Sequence, residues 1–372
     1  MQKQLDRLLT SGLGRVYTAA AVHIRHRGET IYERVVGHPN PEASPTPARI
    51  DTLFDLASLT KLFTTTAFLT LVDEGIISLT TPVADVLPEF QGLRPIRPYE
   101  HPLNPGEWVT VDPDGEVDAG TITFHHLLTH TSGLPPWHPL YRLPTDRIRP
   151  TVLHTFFSYQ PGTHVLYSDV GLILLGWAVE ALTGLPLDRA IQERVADPLG
   201  LTTLAYRPVG RTRFQPNIAA TEVCAFRGRR MWGEVHDENA WALGGIAGHA
   251  GLFATVRDVA AFGQAWLDRL GDRGTLPISG HLARQAVREQ ARENEVRRGW
   301  GWALRAPVPE GFTYPLGEQA FGHTGFTGTS LYIDPEREVV IAALTNRVYF
   351  GRDPQGITAW RRALHEEVSK GL

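Results

Sequence analysis

The chain opens with two apolar, β-branched stretches, 16–25 and 30–37, joined by His26-Arg27-Gly28-Glu29, a pattern that predicts a hairpin turning at Gly28. From Ala57 to Asp73 apolar or small residues cover most of a helical circumference, which predicts a helix buried on nearly all sides, with Gly75 as its carboxyl-terminal cap. Residues 91–120 are dense in Pro, Gly, Asp and Glu without periodicity and read as a long surface excursion. A helical pattern resumes from Thr123 to Thr131 and stops at Thr-Ser-Gly-Leu-Pro-Pro. After Pro161-Gly162, residues 164–167 predict a short strand, followed by a helix over 170–182 that Asp169 is placed to cap and Gly184 to close. Thr255 and Asp258 have the spacing of a capped helix start, with an amphipathic helix to Leu270. Near the end, 330–334 and 338–345 predict a second hairpin, and 356–368 a last helix.

Strands at both ends with helices between them predict an α+β fold with an α/β sandwich lobe: an antiparallel sheet built from both chain termini, flanking helices and an inserted helical lobe. The expected organisation is one domain. Its sheet lobe takes in about 1–56 and 300–372, its helical lobe about 76–299, and the helix over 57–74 lies between them.

Composition narrows the function classes. A net charge of −4, with 42% apolar and 20% charged residues, gives no sign of a nucleic-acid or membrane-surface partner, so a small molecule is the expected one. The lone cysteine, Cys224, forms no internal disulfide, and the charged amino terminus lacks the apolar core of a signal peptide, so a cytoplasmic location is expected. Lysine occurs only at Lys3, Lys61 and Lys370; the other 33 of 36 basic residues are arginine. A single internal lysine in an arginine-based chain points to a task that arginine, which does not lose its proton, cannot perform.

Ser58 and Lys61 lie three positions apart on the buried helix and so share one face. Burial lowers a lysine pKa, and bringing the reference value of about 10.4 down by some three units requires on the order of 4 kcal/mol of desolvation. The expectation is an uncharged amine that takes the serine proton. Ser58 also sits at the helix start, where its own N–H favours developing negative charge.

Ser58-Leu59-Thr60-Lys61 resembles the Ser-x-x-Lys motif of the serine β-lactamase and penicillin-binding protein superfamily. Tyr167-Ser168-Asp169 resembles the Tyr-x-Asn element of class C β-lactamases and family VIII esterases, and His323-Thr324-Gly325 resembles the Lys-Thr-Gly strand motif. Leu127 to Pro135 resembles a helix and turn of the same branch. The resemblance implies Ser58 as nucleophile, Lys61 as general base and Tyr167 as the phenol that relays the proton to the leaving group. It also implies an oxyanion hole made by the N–H groups of Ser58 and Phe326. His323, Thr324, Gly325 and Asp169 would line the substrate site, with His236 and Asp237 nearby in the glycine-rich stretch 233–253. No metal or cofactor is implied.

Two departures from the family pattern narrow the substrate. His323 stands where penicillin-recognising relatives carry lysine, and its charge at neutral pH is only partial, which weakens the hold on a carboxylate. Asp169 replaces an amide that donates a hydrogen bond with an anion that does not, which favours its use as a helix cap. The sequence therefore ranks a carboxylesterase acting on small esters first. A D-amino-acid peptidase or amidase comes second, and a weak β-lactamase third. Rivals of another class are a metal-dependent hydrolase and a non-catalytic binding or assembly protein. For the metal reading, His236 and Asp237 lack a clear third ligand, and His126 and His130 sit in a stretch that favours a structural role. The α/β-hydrolase reading fails for want of a Gly-x-Ser-x-Gly.

Overall fold

The computed structural model describes all residues except 103, 105, 113, 114, 211–216, 307–314 and 354. Its centre is an eight-stranded antiparallel sheet in the order Ala291–Glu293, Val296–Arg298, Ala303–Leu304, Phe321–Thr324, Ser330–Asp334, Val339–Thr345, Ala19–His26, Glu29–Gly37. Both predicted hairpins are present, and the amino-terminal strand pairs with Val339–Thr345, so the two ends of the chain close one sheet. The sheet also takes in 291–298, earlier in the chain than the residues the sequence assigned to it.

The sheet is buried on both faces, which is why its central strands read as continuous apolar runs rather than alternating ones. Ala20, Val22, Ile24, Ile341 and Ala343 face a layer made by the terminal helices Gln2–Gly12 and Gln355–Lys370, where the Tyr17 ring meets the edge of Trp360. Ala19, Ala21, Val340, Ala342 and Leu344 face the helix Val256–Leu270 and the main core beyond it. A methyl group on Gly263 of that helix would lie 2.7 Å from Val340 and 2.8 Å from Leu331, so only glycine permits this close approach. The first helix is absent from the sequence expectation, which began the chain in the sheet.

The central helix Thr60–Asp73 is buried along almost its entire length, as its composition requires. Its threonines, poor helix formers, are satisfied locally: Thr66 donates to the Leu62 carbonyl at 2.7 Å and Thr70 to that of Ala67 at 2.7 Å, while Thr64 reaches the Gly248 carbonyl at 2.9 Å. Phe63 packs on Phe262 and Phe68 on Phe124, joining this helix to both of its neighbours. Each fully buried side chain of this kind contributes about 1.5–3 kcal/mol through removal of its surface from water.

Three local expectations are corrected. Residues 164–167 form no strand; they run as irregular chain between the turn at 161–163 and the helix Asp169–Thr183. That helix is capped by Ser168, whose Oγ accepts from Gly171 N at 3.2 Å, rather than by Asp169. Within 91–120 the described residues include paired short strands, Leu93–Pro95 with Glu116–Asp118 and Tyr99–Glu100 with Trp108–Val109. The helices expected over 123–131, 170–182, 255–270 and 356–368 are present as Phe124–Thr129, Asp169–Thr183, Val256–Leu270 and Gln355–Lys370, with Thr123 and Thr255 as caps of the first and third.

Candidate active site

Ser58 lies in a 3₁₀ turn, Ala57–Leu59, that leads into the central helix. The turn is held under strain: Ala57 has φ +46°, a conformation costly for a residue with a Cβ. The buried Asp55 fixes it, its Oδ1 accepting from Ala57 N at 2.8 Å and its Oδ2 from His236 N at 2.6 Å. The first intrahelical bond is donated by Leu59, so the Ser58 N–H is left over.

The strand Phe321–Thr324 approaches this turn at Gly325. A methyl group there would lie 2.5 Å from the Leu56 carbonyl oxygen and 3.3 Å from the Ala57 side chain. Gly325 is therefore the residue that lets the strand end meet the serine turn, and it places Phe326 beside it. Among the described residues the N–H groups of Ser58 and Phe326 have no hydrogen-bond partner. Two free donors at adjacent chain ends are what a developing oxyanion needs.

Lys61 is 1% exposed, and its Nζ donates to Ser58 Oγ at 2.8 Å and to the His249 carbonyl at 3.0 Å. Asp169 Oδ1 lies 2.8 Å from the same nitrogen, a close ion pair off the axis of a well-aligned hydrogen bond. Burial acts to strip the proton from Lys61, but the Asp169 carboxylate and the Tyr167 oxygen together outweigh it and raise the pKa above the ordinary lysine value. This corrects the expected uncharged amine. The sequence treated Asp169 as a cap, and a carboxylate brought against the lysine reverses the effect of burial.

Tyr167 is half-buried beside Lys61, with Nζ 5.0 Å from its ring centroid. Its ring packs against His130 at 4.6 Å and His323 at 5.8 Å, and the Arg298 guanidinium lies 5.5 Å from it. Both imidazoles are neutral. Burial, reinforced by the Lys61 and Arg298 charges, pushes His323 down to about 3, and the same influences hold His130 well below its usual value. His323 Nδ1 donates to the Thr324 carbonyl at 2.8 Å, and His130 Nδ1 accepts from Ser168 N at 3.1 Å, so each ring has a fixed tautomer. The partial charge expected of His323 is thus corrected to none. Thr324 is half-buried at the end of the same strand.

Of His236 and Asp237, expected as substrate contacts, His236 is buried and Asp237 is half-buried at the site. Asp237 Oδ1 caps the helix Glu238–Ala242 by accepting from Ala240 N at 2.7 Å, and it meets His249 Nε2 at 3.0 Å. The His236 ring stacks on Phe326 with centroids 5.6 Å apart. Asp169, Asp237 and His249 bring metal-type ligand atoms within 4.8 Å of one another, but the Lys61 ammonium already occupies Asp169, and its charge would repel a dication there. His126 turns its Nδ1 onto Thr123 in a capping box, away from His130.

Two residues, His249 and Arg298, escaped the sequence analysis, and His130 was given only a structural role there. His249 lies inside a stretch that was noticed, yet nothing in a linear pattern says that its carbonyl reaches Lys61, nor that the His130 ring packs on Tyr167. Arg298 carried no signal, since one arginine among 33 has no distinguishing context. In the fold its place marks it: the guanidinium lies 5.5 Å from the Tyr167 ring, its Nε is buried without a hydrogen bond, and no carboxylate pairs with it among the described residues.

The sequence model of the β-lactamase family matches residues 5–365. A protein of Salmonella typhimurium (strain LT2) with the provisional name D-alanyl-D-alanine carboxypeptidase is 31% identical over 327 residues, covering 82% of this chain and 72% of its own. Among solved structures, the octameric penicillin-binding protein homologue from Pyrococcus abyssi superposes with a TM-score of 0.71 at 23% identity, over 97% of this chain and 76% of that one. EstCE1, described as a hydrolase with promiscuous acyltransferase activity, superposes with a TM-score of 0.73 at 20% identity, over 97% and 98% of the two chains. At those identities the structures speak to the fold alone.

Proposed function

The chain belongs to the β-lactamase family and is a serine hydrolase; from that premise we propose that it forms an acyl-enzyme on Ser58 from substrates bearing a free carboxylate, as a D-amino-acid carboxypeptidase does. The observation that carries this reading is Arg298. A guanidinium without a carboxylate partner, partly buried beside Tyr167, is costly to keep unless an anion arrives to pair with it. His323 supplies no charge, which on sequence alone favours a neutral ester, and Arg298 restores a permanent cation at the same wall of the site. The name borne by the Salmonella relatives agrees with this choice.

In this mechanism Lys61 acts as an ammonium. It donates to Ser58 Oγ and so favours the alkoxide, while Tyr167, acting as the phenolate beside that ammonium, takes the serine proton and becomes the neutral phenol. Ser58 Oγ attacks the carbonyl carbon, and the resulting oxyanion is received by the N–H groups of Ser58 and Phe326. The proton on Tyr167 passes to the leaving amine or alcohol. Water then gives a proton to the Tyr167 phenolate and attacks the acyl carbon; as the Ser58 ester bond breaks, Tyr167 passes that proton to Ser58 Oγ, which restores the hydroxyl and the phenolate and releases the acid. Small neutral esters fit the same steps without needing Arg298.

Intact-mass analysis after exposure to p-nitrophenyl acetate, a D-alanyl-D-alanine peptide and a penicillin, with peptide mapping, is expected to place each adduct on Ser58. Arg298→Met is expected to lower the ratio of kcat/KM for the peptide to that for the ester by about 10–100-fold, the size of a lost charge-assisted contact. An unchanged ratio would remove the carboxypeptidase reading and leave the esterase.

A further inference from the structure

Glu222, His236 and Arg352 form a polar chain, buried at Glu222 and His236 and exposed at Arg352, that ends on the ring of Phe326 and has no part in the proton transfers above. Glu222 Oε1 accepts from His236 Nε2 at 2.9 Å and from Arg352 Nε at 2.8 Å, and Arg352 also reaches Glu238. Burial raises the Glu222 carboxyl, and the hydrogen bonds from His236 and Arg352 more than offset this, bringing it down to about 2. The carboxylate is therefore charged at any working pH, and Nε2 of His236 is the end that donates.

His236 is buried, and it connects to both halves of the candidate oxyanion hole. Its ring stacks on Phe326 at an interplanar angle of 28°. Its N–H holds Asp55, which in turn holds Ala57, the residue before Ser58. The Arg347 guanidinium also covers the Phe326 ring, 4.5 Å from its centroid, and the Arg352 guanidinium lies 5.9 Å from it; the other tethers of the loop grip backbone atoms: Arg347 Nε on the Phe326 carbonyl at 2.8 Å, Thr327 Oγ1 on Asp55 O at 2.7 Å, and Thr329 Oγ1 on Leu56 O at 2.9 Å. A buried carboxylate is poor value as a stabilising device, since well-packed apolar groups serve as well. Its placement against this loop calls for another reason.

We propose that Glu222, His236 and Arg352 are positioning residues that hold the Phe326 ring, and through it the Phe326 N–H, in register with the N–H of Ser58. The inference rests on the reading that these two amides receive the oxyanion. It takes His236 out of the substrate-contact role expected from sequence and gives it a supporting one.

The test uses the full chain with p-nitrophenyl acetate as substrate and a phenylboronic acid as a tetrahedral probe of the hole. His236→Phe keeps a ring on Phe326 but cuts the link to Glu222, and Glu222→Gln weakens both of its hydrogen bonds. Each is expected to lower kcat about tenfold or more, below the 10²–10³ of deleting a donor outright. KM is expected to stay within about twofold, and boronate affinity to fall by the same factor as kcat. Combined with Phe326→Leu, His236→Phe is expected to add little, because both act on one ring. Arg352→Met, at the exposed end, serves if the buried variants fold poorly, with an expected loss of about threefold to tenfold. Boronate affinity and kcat within twofold of the parent in all variants would overturn the proposal, as would losses that track a falling urea midpoint. Turnover that survives Ser58→Ala would instead overturn the nucleophile reading on which the proposal rests.

Discussion

Lys61 Nζ lies 2.8 Å from Asp169 Oδ1 and at the same distance from Ser58 Oγ, so the amine beside the nucleophile has a counter-charge of its own. Removing that counter-charge is expected to lower the Lys61 pKa, because burial then acts against the Tyr167 oxygen alone. The chain has three lysines, so a ¹⁵N-lysine spectrum contains one internal signal. In the parent, Lys61 Nζ is expected to keep its ammonium shift through pH 10. In Asp169→Asn it is expected to titrate at least one unit lower than in the parent. A parent signal already neutral at pH 8 would restore the uncharged base and remove Tyr167 from that role.

Tyr167→Phe separates the two candidate bases. The variant keeps the ring that packs between His130 and His323 and loses only the phenol oxygen. If that oxygen takes the serine proton, kcat is expected to fall by about 10²–10⁴ with the urea midpoint little changed. A loss of threefold or less would return the base to Lys61.

The buried neutral histidines give the fold a sensitivity to acid. An unfolded histidine binds its proton near 6.5, whereas His323 resists until about 3. Between those values the unfolded chain carries the extra proton, so stability rises with pH and is lost as pH falls, by up to about 1.4 kcal/mol per unit for this one group. His323→Gln is expected to flatten the dependence by about that amount in urea unfolding at pH 6, 5 and 4. Parallel curves for parent and variant would mean that the ring is protonated in the folded state.

What the sequence revealed follows from how local each signal is. The central helix, both hairpins and the cap at Thr255 depend on neighbours within a few positions, and they stand where they were expected. The contact of Ser58 with Lys61 is of the same kind, set by one helical turn. The charge of Lys61 is different, because it depends on Asp169, 108 positions away, and no spacing rule reports that approach. The same holds for Arg298, whose significance lies in the partner it lacks. The identities at the site were legible, and their protonation states were not, since those come from the sum of contacts made across the fold.

Gly325 is where fold and chemistry meet most tightly, and alanine there is the sharpest test of the site's assembly. Its new methyl group would overlap Thr329 Oγ1 and come within 2.5 Å of the Leu56 carbonyl, with the strained Ala57 just beyond. Thr329 cannot simply turn away, because its hydroxyl is bonded to that same Leu56 carbonyl at 2.9 Å. Relief must therefore come from moving the strand end off the serine turn, which carries the Phe326 N–H away from that of Ser58. The stability cost is expected to be that of overpacking, about 1–3 kcal/mol. The loss of kcat/KM is expected to be larger, about 10²-fold or more, since a displaced oxyanion donor acts on the transition state alone. Stability from urea unfolding and kcat/KM on p-nitrophenyl acetate distinguish the two effects. A variant destabilised as expected but active within tenfold of the parent would show that Phe326 does not serve the reaction.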